Sequence, residues 1–558
     1  MRITWIAFSL LLIAAASFAT WRFVERGSDH ATSLIRERIG RDIRNRVMPT
    51  DAPWRDRRAD ALTRTFYKHR QMSPAWTSGS GPTNAARELA AVVAHAQDEG
   101  LEPEEYSSSA MASRWDDSKG HALTGADPKS LAEFDLLCTL AALHYMSDVS
   151  DGRISPKALD AEWVAKPRRG DLDSLLDDAI RHNRVGTMLG AMPPPQDGYR
   201  ALRAARATYA RIVAAGGWPA VPAGAPLRPG QRGRRVDALR ARLIATGDLN
   251  SSAGATGPYD VVIANAVRRF QSRIGHDPDG VVRPDDAAEL NVPAAYRLQQ
   301  IDLNMERWRW VPRSFGDRYL LVNIPEYALH IVEGRRSVLD MRVVVGKTLT
   351  ATPVFSDQMT QVVFNPTWGV PRSIAQGEMA TAVQEDPEYL TKHHIRVFDR
   401  DAQGAKEVEA SAVNWSDTVE VGRLQLQQDE GADNALGRIK FLLPNQFDVY
   451  LHDTPAGHLF ANEDRSFSHG CVRVEDPVAL AEYVLRGTSA GSAAQVQRLI
   501  DTGTTTAVPL PSPLPVHIVY FTAFVAPDGS VGFRKDVYGI DEDEMQHLHS
   551  RSQALARR

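Results

Sequence analysis

Cysteine and an excess of one charge sign are what this sequence lacks. It has two cysteines in 558 residues, a net charge of −4 at pH 7 and a charged fraction of 24%. Two cysteines exclude a disulfide-rich scaffold. Pairing Cys138 with Cys471 would remove the thiol that has a reactive context, so we expect both to be reduced. The charge balance gives no global electrostatic case for a nucleic-acid partner, and the length indicates three or four domains.

The first residues form an apolar leader. Arg2 precedes a run of 17 residues, from Ile3 to Ala19, that is apolar apart from a few hydroxyl residues. This pattern is typical of a signal peptide or a short membrane anchor, and we assign residues 1–25 to it. Cleavage would release the chain, whereas residues 3–24 would anchor an uncleaved one. Either way, we expect the remainder to work outside the cytoplasm.

Residues 32–215 have the apolar spacing of helices, with apolar positions at intervals of three and four. In the segment that starts near residue 83, Thr83 is placed to cap the helix and Gly100 to end it. Cys138 lies on the apolar side of a later helical segment, which predicts a buried thiol. The region has no catalytic spacing, so we interpret it as a helical scaffold domain.

A Pro-, Gly- and Ala-rich stretch, residues 216–230, predicts a linker. Residues 231–292 then predict a compact unit of three helices, with a turn at Asp279–Gly280 and a third helix that begins near Pro284. A simple helical spacer is the alternative interpretation, because the unit carries no metal-binding or catalytic residue.

The apolar period changes to two from Tyr319 onwards, which predicts short strands. We assign residues 307–545 to a mostly β domain. The Trp/Arg alternation of residues 307–313 is interpreted as packing, and a last hairpin is predicted to turn at Asp528–Gly529. A long polar insertion at about residues 372–436 predicts a lid or binding loop.

Cys471 has the features of a nucleophile. It lies in the tetrapeptide Ser-His-Gly-Cys, and His452 lies 19 positions upstream (471 − 452), at the end of an apolar run. A strand that ends at His452 and another that starts after Cys471 place a base beside a thiol. Gly470 permits a sharp turn and lets a backbone N–H face a developing oxyanion.

Two other interpretations of the same residues stay open at this point. A free cysteine is often a small buried hydrophobe. A metal site is the second, although the spacing of its ligands matches no common zinc pattern; those ligands would be His452, His458, His469 and Cys471.

The succession His-Asp-Thr-Pro, spacer, Ser-His-Gly-Cys-Val-Arg resembles the signature of the L,D-transpeptidase catalytic domain. The chain as a whole is similar to the large periplasmic members of Gram-negative bacteria. Residues 66–76 resemble their scaffold region, and residues 231–292 resemble a small peptidoglycan-binding module. The resemblance implies a multidomain α+β fold, with a helical scaffold, a three-helix module and a mostly β catalytic domain with a lid. It implies no cofactor and no metal.

Roles follow by matching position to the family. Cys471 is the nucleophile and His452 the base, and the backbone carbonyl of Asp453 orients the imidazole. The N–H of Cys471, with that of Gly470, is the expected oxyanion donor. Tyr450 is two residues before His452 and so on the same strand face, where it either adds a hydroxyl donor or is a core tyrosine.

Four more residues are assigned to the site or its edge. His469 is expected to shape the turn by a hydrogen bond. Arg473 is placed to meet a substrate carboxylate, although the commoner family residue there is Asn. Trp368 is expected to line the cleft, and Ser468, which begins the motif, is a candidate substrate contact that the turn alone would also explain.

The resemblance implies that the enzyme forms 3→3 cross-links in peptidoglycan. Cys471 would take the acyl group of a donor tetrapeptide as a thioester and release D-alanine. The alternatives are an L,D-carboxypeptidase that trims tetrapeptides with water, attachment of a lipoprotein lysine to the wall, and a non-catalytic wall-binding scaffold. Expected partners are stem peptides, glycan strands and, through the leader, the inner membrane, with cell-wall synthases as candidates and no nucleic acid. Carbapenems are expected to acylate Cys471.

Overall fold

The computed structural model describes residues 29–50, 52–115, 123, 127–154, 156, 171–254, 256–401 and 404–556. The predicted leader, residues 1–25, lies outside these ranges. Over the described ranges, no helix combines the length and the apolar character needed to cross a membrane.

The N-terminal part is helical, as predicted, and contains one small hairpin. Helix α1 spans residues 29–45. It is followed by α2 Trp54–His69, β1 Thr77–Ser78, β2 Gly81–Pro82, α3 Asn84–Val93, α4 Ser108–Ala112, α5 Pro128–Asp151, α6 Leu172–Arg181, α7 Val185–Gly190 and α8 Asp197–Ala214. Helices α1 to α7 share one apolar core.

Two details of this region correct or confirm the sequence analysis. Thr83 is the residue before α3, but the helix ends at Val93, and Gly100 instead ends a later 3-10 turn in the left-handed conformation. Cys138 is fully buried in α5 and is a free thiol, as is Cys471.

A three-helix unit follows, formed by α9 Arg234–Ala245, α10 Val261–Ile274 and α11 Pro284–Asn291. The third helix begins at Pro284, as predicted. The stretch 216–230 is more than a linker, which is a correction. Val221 and Leu227 are buried in the core of this unit, and Leu227 pairs with Val282 in a short β-bridge. Apolar side chains among the prolines and glycines therefore extend the unit towards its N-terminus.

Helix α12, Ala294–Trp310, was not predicted, and it contacts the scaffold helices α5 and α8 as well as the C-terminal part of the chain. Most of its side chains are buried, including those of the Trp/Arg alternation that we interpreted as packing. The proposed boundary at residue 307 falls inside this helix. At its C-terminal end, Glu306 accepts hydrogen bonds from the Ile154 N–H of the scaffold (3.0 Å) and from Arg309 (2.7 Å).

The remaining chain is mostly β and ends in a helix. Its strands are β3 Arg318–Asn323, β4 Ala328–Glu333, β5 Arg336–Gly346, β6 Phe355–Phe364, β7 Trp368–Gly369, β8 Ile395–Asp401, β9 Gly404–Val408, β10 Leu424–Gln428, β11 Ile439–Leu442, β12 Leu451–His452, β13 Ser466–Ser468, β14 Val472–Val474, β15 Thr506–Val519, β16 Ala523–Val525 and β17 Val531–Phe533. Its helices are α13 Arg372–Ile374, α14 Ala380–Glu385, α15 Tyr389–Lys392, α16 Thr418–Val421, α17 Pro477–Val484, α18 Ala493–Asp501 and α19 Asp541–Ala556.

Nine of these strands form a sheet that closes on itself. Their order is β13-β5-β14-β12-β11-β6-β15-β3-β4, and β4 also pairs with β5. Alternate side chains fill the interior, among them Val362, Phe441, Leu451 and Val472, all fully buried. Helices α17 and α18 contribute to the same core. The catalytic residues proposed from the sequence therefore lie on the wall of a small, filled barrel.

The last hairpin is shorter than predicted. Strands β16 and β17 do flank the turn at Asp528–Gly529. The residues up to Val519, however, belong to β15, which lies between β6 and β3 in the barrel. Its period-two pattern is common to both environments, so the sequence did not separate a barrel strand from a hairpin strand.

The insertion folds as a separate layer that we call the lid, residues 368–428. It has a four-stranded sheet in the order β7-β10-β8-β9 and carries α13 to α16. Between α13 and α14 the chain forms a π-helical turn, Ala375–Met379. The lid has its own apolar core, which includes Met379, Val397 and Trp415. It begins slightly before the predicted residue 372 and ends before 436.

Replacing Arg307 with methionine is expected to destabilise the molecule by about 3–5 kcal/mol. The guanidinium is fully buried at the end of α12, where its Nε contacts Glu544 (2.9 Å) and its terminal nitrogen contacts Asp541 (2.8 Å), both in α19. Its loss leaves two buried carboxylates without a cation. Urea unfolding measures the change. Arg498→Met, at an exposed position, is the control and should change stability by less than about 0.5 kcal/mol. Equal stability of both variants would contradict the expectation.

Candidate active site

The two proposed catalytic residues lie at neighbouring parallel strands, His452 at the end of β12 and Cys471 directly before β14. Strand β12 pairs with β14 so that Leu451 is opposite Val472 and His452 is opposite Arg473. Leu451 and Val472 point into the barrel, and successive side chains of a strand alternate between faces. His452 and Arg473 therefore point outwards, and Cys471 directly precedes β14 at this face. The sequence analysis predicted this meeting of strand ends.

His452 is held as a neutral base. Its side chain is 4% exposed, and Nδ1 donates a hydrogen bond to the Asp453 carbonyl oxygen (2.5 Å). A carbonyl only accepts, so the ring proton is on Nδ1, and Nε2 keeps its lone pair. Burial, then the positive charges of Arg473 and Lys440, lowers the pKa of His452 to about 3. The imidazole is therefore uncharged at neutral pH.

Asp453 orients the imidazole through its main chain, as predicted. Its carboxylate has another use. One oxygen accepts from the Arg438 N–H and the other from the Thr454 N–H, both at 2.7 Å. Burial raises the pKa of this carboxyl. The side chain thus joins the segment that follows the histidine to the start of β11, and it makes no hydrogen bond to the ring.

Cys471 is half-buried. Its Sγ lies 3.9 Å from the Asp448 carbonyl oxygen, to which the S–H donates. Burial raises the pKa of Cys471, against the opposing effects of the Tyr450 N–H, Lys440, the Tyr450 hydroxyl and Arg473. The resting pair is therefore a protonated thiol beside a neutral imidazole.

Tyr450 and Trp368 meet at the thiol. The Tyr450 hydroxyl is in hydrogen-bonding contact with the Cys471 and Trp368 side chains, and burial raises its pKa well above the usual range. Its ring contacts His452 edge-on, with 5.6 Å between centroids. Trp368 comes from β7 at the base of the lid. The roles predicted for the Tyr450 hydroxyl and for Trp368 as a cleft residue stay predictions.

Lys440 is a site residue that the sequence analysis missed. It lies directly opposite His452 on β11, and its Nζ is 3.8 Å from the centroid of the Tyr450 ring. Burial lowers its pKa. The available signal was the alternation of the strand Ile439–Leu442, which puts Lys440 on the outer face beside the histidine.

Lys440 and Arg473 place two positive charges at the site. The Asp448 carboxylate acts electrostatically on Lys440, and Cys471 acts on both side chains. The Nε of Arg473 is buried without a hydrogen-bond partner. A buried donor that is left unsatisfied costs about 1–3 kcal/mol, so this corner of the site is suited to an anionic group from outside the chain.

The turn before the thiol uses most of its own polar groups. The Ser468 hydroxyl donates to the Cys471 carbonyl (2.5 Å) and accepts from the Gly470 N–H (3.1 Å). Gly470 has φ +111°, a conformation that favours glycine. Two corrections follow. The Gly470 N–H is engaged and is not an oxyanion donor, and the buried Ser468 is a turn residue rather than a substrate contact.

His469 contacts the lid instead of its own turn. Its Nε2 lies 3.1 Å from the carboxylate of Glu378, which is in the π-helical turn, and Lys347 Nζ lies 3.5 Å from the same oxygen. The structural hydrogen bond expected of His469 exists, but it joins the barrel to the lid.

These groups together form a site for nucleophilic acyl transfer. A thiol lies beside a neutral imidazole whose Nε2 is available, and the Cys471 N–H makes no hydrogen bond to any described residue. Over the same part of the chain, no group of three or more His, Cys, Asp or Glu side chains is arranged to hold a metal ion. The class defined by this geometry is a cysteine acyltransferase or hydrolase.

Comparison with known families agrees with the site. Residues 317–500 match the L,D-transpeptidase catalytic domain, and residues 61–205 match a Scaffold domain. A Haemophilus influenzae protein named "Putative L,D-transpeptidase" is 32% identical over 243 residues, which are 44% of this chain and 48% of that protein. The chain thus aligns with about half the length of this curated relative.

Two crystal structures of L,D-transpeptidases show lower similarity. The protein from Xylanimonas cellulosilytica is 17% identical, with 53% of this chain and 98% of that chain covered and a TM-score of 0.17. The protein from Stackebrandtia nassauensis is 12% identical, with 54% and 96% covered and a TM-score of 0.20. TM-scores this low add nothing to the fold, which rests on the elements given above.

Residues 317–500 therefore form an L,D-transpeptidase catalytic domain, which follows a Scaffold domain at residues 61–205.

The alkylation rate of Cys471 by iodoacetamide should rise about tenfold per pH unit between roughly pH 6 and 8, without a plateau. The pKa of His452 is lowered to about 3 and that of Cys471 is raised, so neutral pH lies above the first and below the second. The thiolate fraction then grows with pH throughout this range. Mass spectrometry of the modified protein measures the rate. Cys471→Ala is the control, since the buried Cys138 should stay unmodified. A rate independent of pH near neutrality would indicate a preformed thiolate–imidazolium pair instead.

Proposed function

We propose that this chain is an L,D-transpeptidase that forms 3→3 cross-links between peptidoglycan stem peptides. The observation that carries the proposal is the register of β12 on β14, which places Cys471 and His452 at the same outer face of the barrel. Nδ1 of His452 is bound to the Asp453 carbonyl, so the lone pair of the ring is on Nε2. The catalytic-domain match supports the reaction class. The bond that is cleaved and the acceptor that is used are the proposed part.

In the first half-reaction, His452 Nε2 removes the thiol proton as Cys471 Sγ attacks the carbonyl carbon of the third residue of a donor tetrapeptide. In a wall of the usual Gram-negative type this residue is meso-diaminopimelate. The carbonyl oxygen takes the negative charge and is stabilised by the Cys471 N–H. The C–N bond then breaks, and the imidazolium returns its proton to the leaving amine. D-Alanine leaves, and a thioester remains on Cys471.

The second half-reaction regenerates the enzyme. The side-chain amine of a second stem's diaminopimelate attacks the thioester carbonyl, and His452 takes the proton that this amine loses. When the C–S bond breaks, the proton passes to the Cys471 sulfur, and a new amide forms the 3→3 cross-link. One amide is exchanged for another, so the reaction needs no ATP.

The lid supports a polymer acceptor rather than water. Glu378 joins the lid to the barrel at His469 and Lys347, and Trp368 at the lid's base contacts Tyr450 beside the thiol. A lid that closes over the acyl-enzyme would shield the thioester from hydrolysis. This favours transpeptidation over the alternative L,D-carboxypeptidase reaction.

The other parts of the chain are assigned roles consistent with this reaction. The three-helix unit is proposed to bind glycan strands; a cleft of about 940 Å³ lies between it and the barrel, with His276 and Glu289 on one side and Arg342 and Glu475 on the other. Residues 1–25 are proposed to direct the chain to the periplasm, either as a cleaved signal or as an inner-membrane anchor. Cell-wall synthases remain candidate partners.

Incubation with purified disaccharide-tetrapeptide tests the proposal, with intact-protein mass spectrometry and product analysis as the measurements. The wild type should yield a 3→3 dimer and free D-alanine and should form a covalent adduct with a carbapenem. Cys471→Ala should lose all three. Cys138→Ala, which removes the other thiol, should keep them. Tripeptide without dimer would instead establish the carboxypeptidase, and no adduct and no turnover would leave a wall-binding scaffold.

Replacing Lys440 or Arg473 with glutamine should lower kcat/KM for acylation by about 10- to 100-fold, the range expected for one charge-assisted hydrogen bond of about 1.5–3 kcal/mol. We propose that these cations bind the carboxylate of the departing D-alanine. A donor that ends in D-alanine amide should therefore be poor for the wild type, and the variants should no longer distinguish it from the acid.

Lys392→Gln is the matched control for these substitutions, because this lid lysine is exposed and pairs with Asp386. It should leave both kcat/KM values unchanged. If the glutamine variants at the site kept the wild-type preference for the acid, the two cations would not be the carboxylate site.

A further inference from the structure

We propose that Thr352 and Tyr538 form a hydrogen-bonded relay that aims the Cys471 N–H at the oxyanion. They are positioning residues, since neither is placed to touch the reacting atoms. The inference rests on the proposed acyl-transfer function of Cys471 and adds two residues, from distant parts of the sequence, to its machinery.

The peptide between Gly470 and Cys471 sets the direction of the oxyanion donor. The Gly470 carbonyl and the Cys471 N–H belong to the same planar trans peptide, so they point in opposite directions. Fixing the carbonyl therefore fixes the N–H. The Gly470 oxygen accepts a hydrogen bond of 2.8 Å from the Thr352 hydroxyl, and Thr352 is 2% exposed. This bond directs the Cys471 N–H away from the loop of Thr352.

Thr352 is itself fixed on both sides. Its hydroxyl accepts from the Gly346 N–H (2.9 Å), and its own N–H donates to the Tyr538 hydroxyl (3.0 Å). The Tyr538 hydroxyl donates in turn to the Gly346 carbonyl (3.1 Å). A side chain at Gly346 has no room, because its Cβ would lie 2.1 Å from the Thr350 oxygen. The loop that contains Thr350 and Thr352 is thus packed closely against the end of β5.

The remaining polar groups of the turn are also occupied. Ser468 binds the Gly470 N–H and the Cys471 carbonyl through its hydroxyl, and its own carbonyl accepts from the Lys347 N–H (2.9 Å) and the Thr350 hydroxyl (3.2 Å). Of the four main-chain polar groups of Gly470 and Cys471, the Cys471 N–H alone has no partner among the described residues. The network leaves free the one donor that the reaction needs.

Tyr538 connects the relay to the C-terminal segment. Its N–H donates to the Tyr520 hydroxyl (2.8 Å), and that hydroxyl donates to Asp536 (2.6 Å). Asp536 also accepts from the Asp541 N–H (2.7 Å), at the start of α19. These hydrogen bonds fix the position of Tyr538 relative to the loop that contains Thr352.

Two chemical probes distinguish two possible roles of Thr352: orienting the oxyanion donor, and supporting the structure around the thiol. Acylation of Cys471 by p-nitrophenyl acetate passes through an oxyanion and releases p-nitrophenolate as the thioester forms. Alkylation by iodoacetamide displaces iodide and forms no oxyanion. Both reactions are followed on the full chain, and neither depends on the stem-peptide substrate, so failure of the relay is distinguishable from failure of the proposed function.

Thr352→Val, which removes the hydroxyl at nearly constant shape, should slow acylation about 10- to 100-fold and leave the alkylation rate within about twofold. Thr352→Ser should restore acylation, and Tyr538→Phe should slow it by a smaller factor. With tetrapeptide as donor, the Thr352→Val loss should appear in kcat rather than KM. Thr505→Val is the control, because its hydroxyl also donates to a backbone carbonyl, that of Asn365 (2.7 Å), away from the site.

Unchanged acylation in Thr352→Val would overturn the relay. So would an equal loss of acylation and alkylation, which would indicate that Thr352 supports the fold around the thiol without aiming the N–H. A wild type that reacts with both probes but forms no cross-link would overturn the proposed function and leave the relay in place.

Discussion

The pairing of two very short parallel strands is the constraint on which the site depends. Strand β12 ends at His452 and β14 starts just after Cys471, and their register alone brings the base and the thiol together. Two-residue and three-residue strands are not stable alone. The closed barrel supplies what they lack, since β11 and β5 flank them and the buried Leu451 and Val472 anchor them to the core. The proposed catalytic pair is therefore attached to the barrel wall through its neighbours in the sheet.

Helix α12 connects the helical scaffold to the barrel domain. That helix is buried along most of its length, and it contacts the scaffold through Glu306 and the C-terminal helix through Arg307. The same C-terminal segment carries Tyr538, which reaches the loop behind the catalytic turn. The scaffold, the barrel and the turn are thus parts of one packed structure.

Sequence patterns predicted the elements whose signals are local. The helices of the scaffold, the start of α11 at Pro284 and most barrel strands follow from apolar period and turn residues. The motif predicted that Cys471 and His452 would meet and that the Asp453 main chain would hold the imidazole. The site features that the motif did not predict depend on which strands and side chains meet in the folded chain. Lys440 joins the site only because β11 pairs with β12, and the engagement of the Gly470 N–H depends on a rotamer of the preceding serine.

The neutral state of the catalytic pair has a consequence for chemical durability. Peroxides and disulfides react with thiolates and hardly with protonated thiols. A resting Cys471 that keeps its proton, beside a histidine that does not accept one until an acyl donor is in place, is protected from oxidation between turnovers. We propose that the enzyme works outside the cytoplasm, where thiols have no reducing buffer. Its nucleophile would stay protonated and unreactive there until a substrate occupies the site.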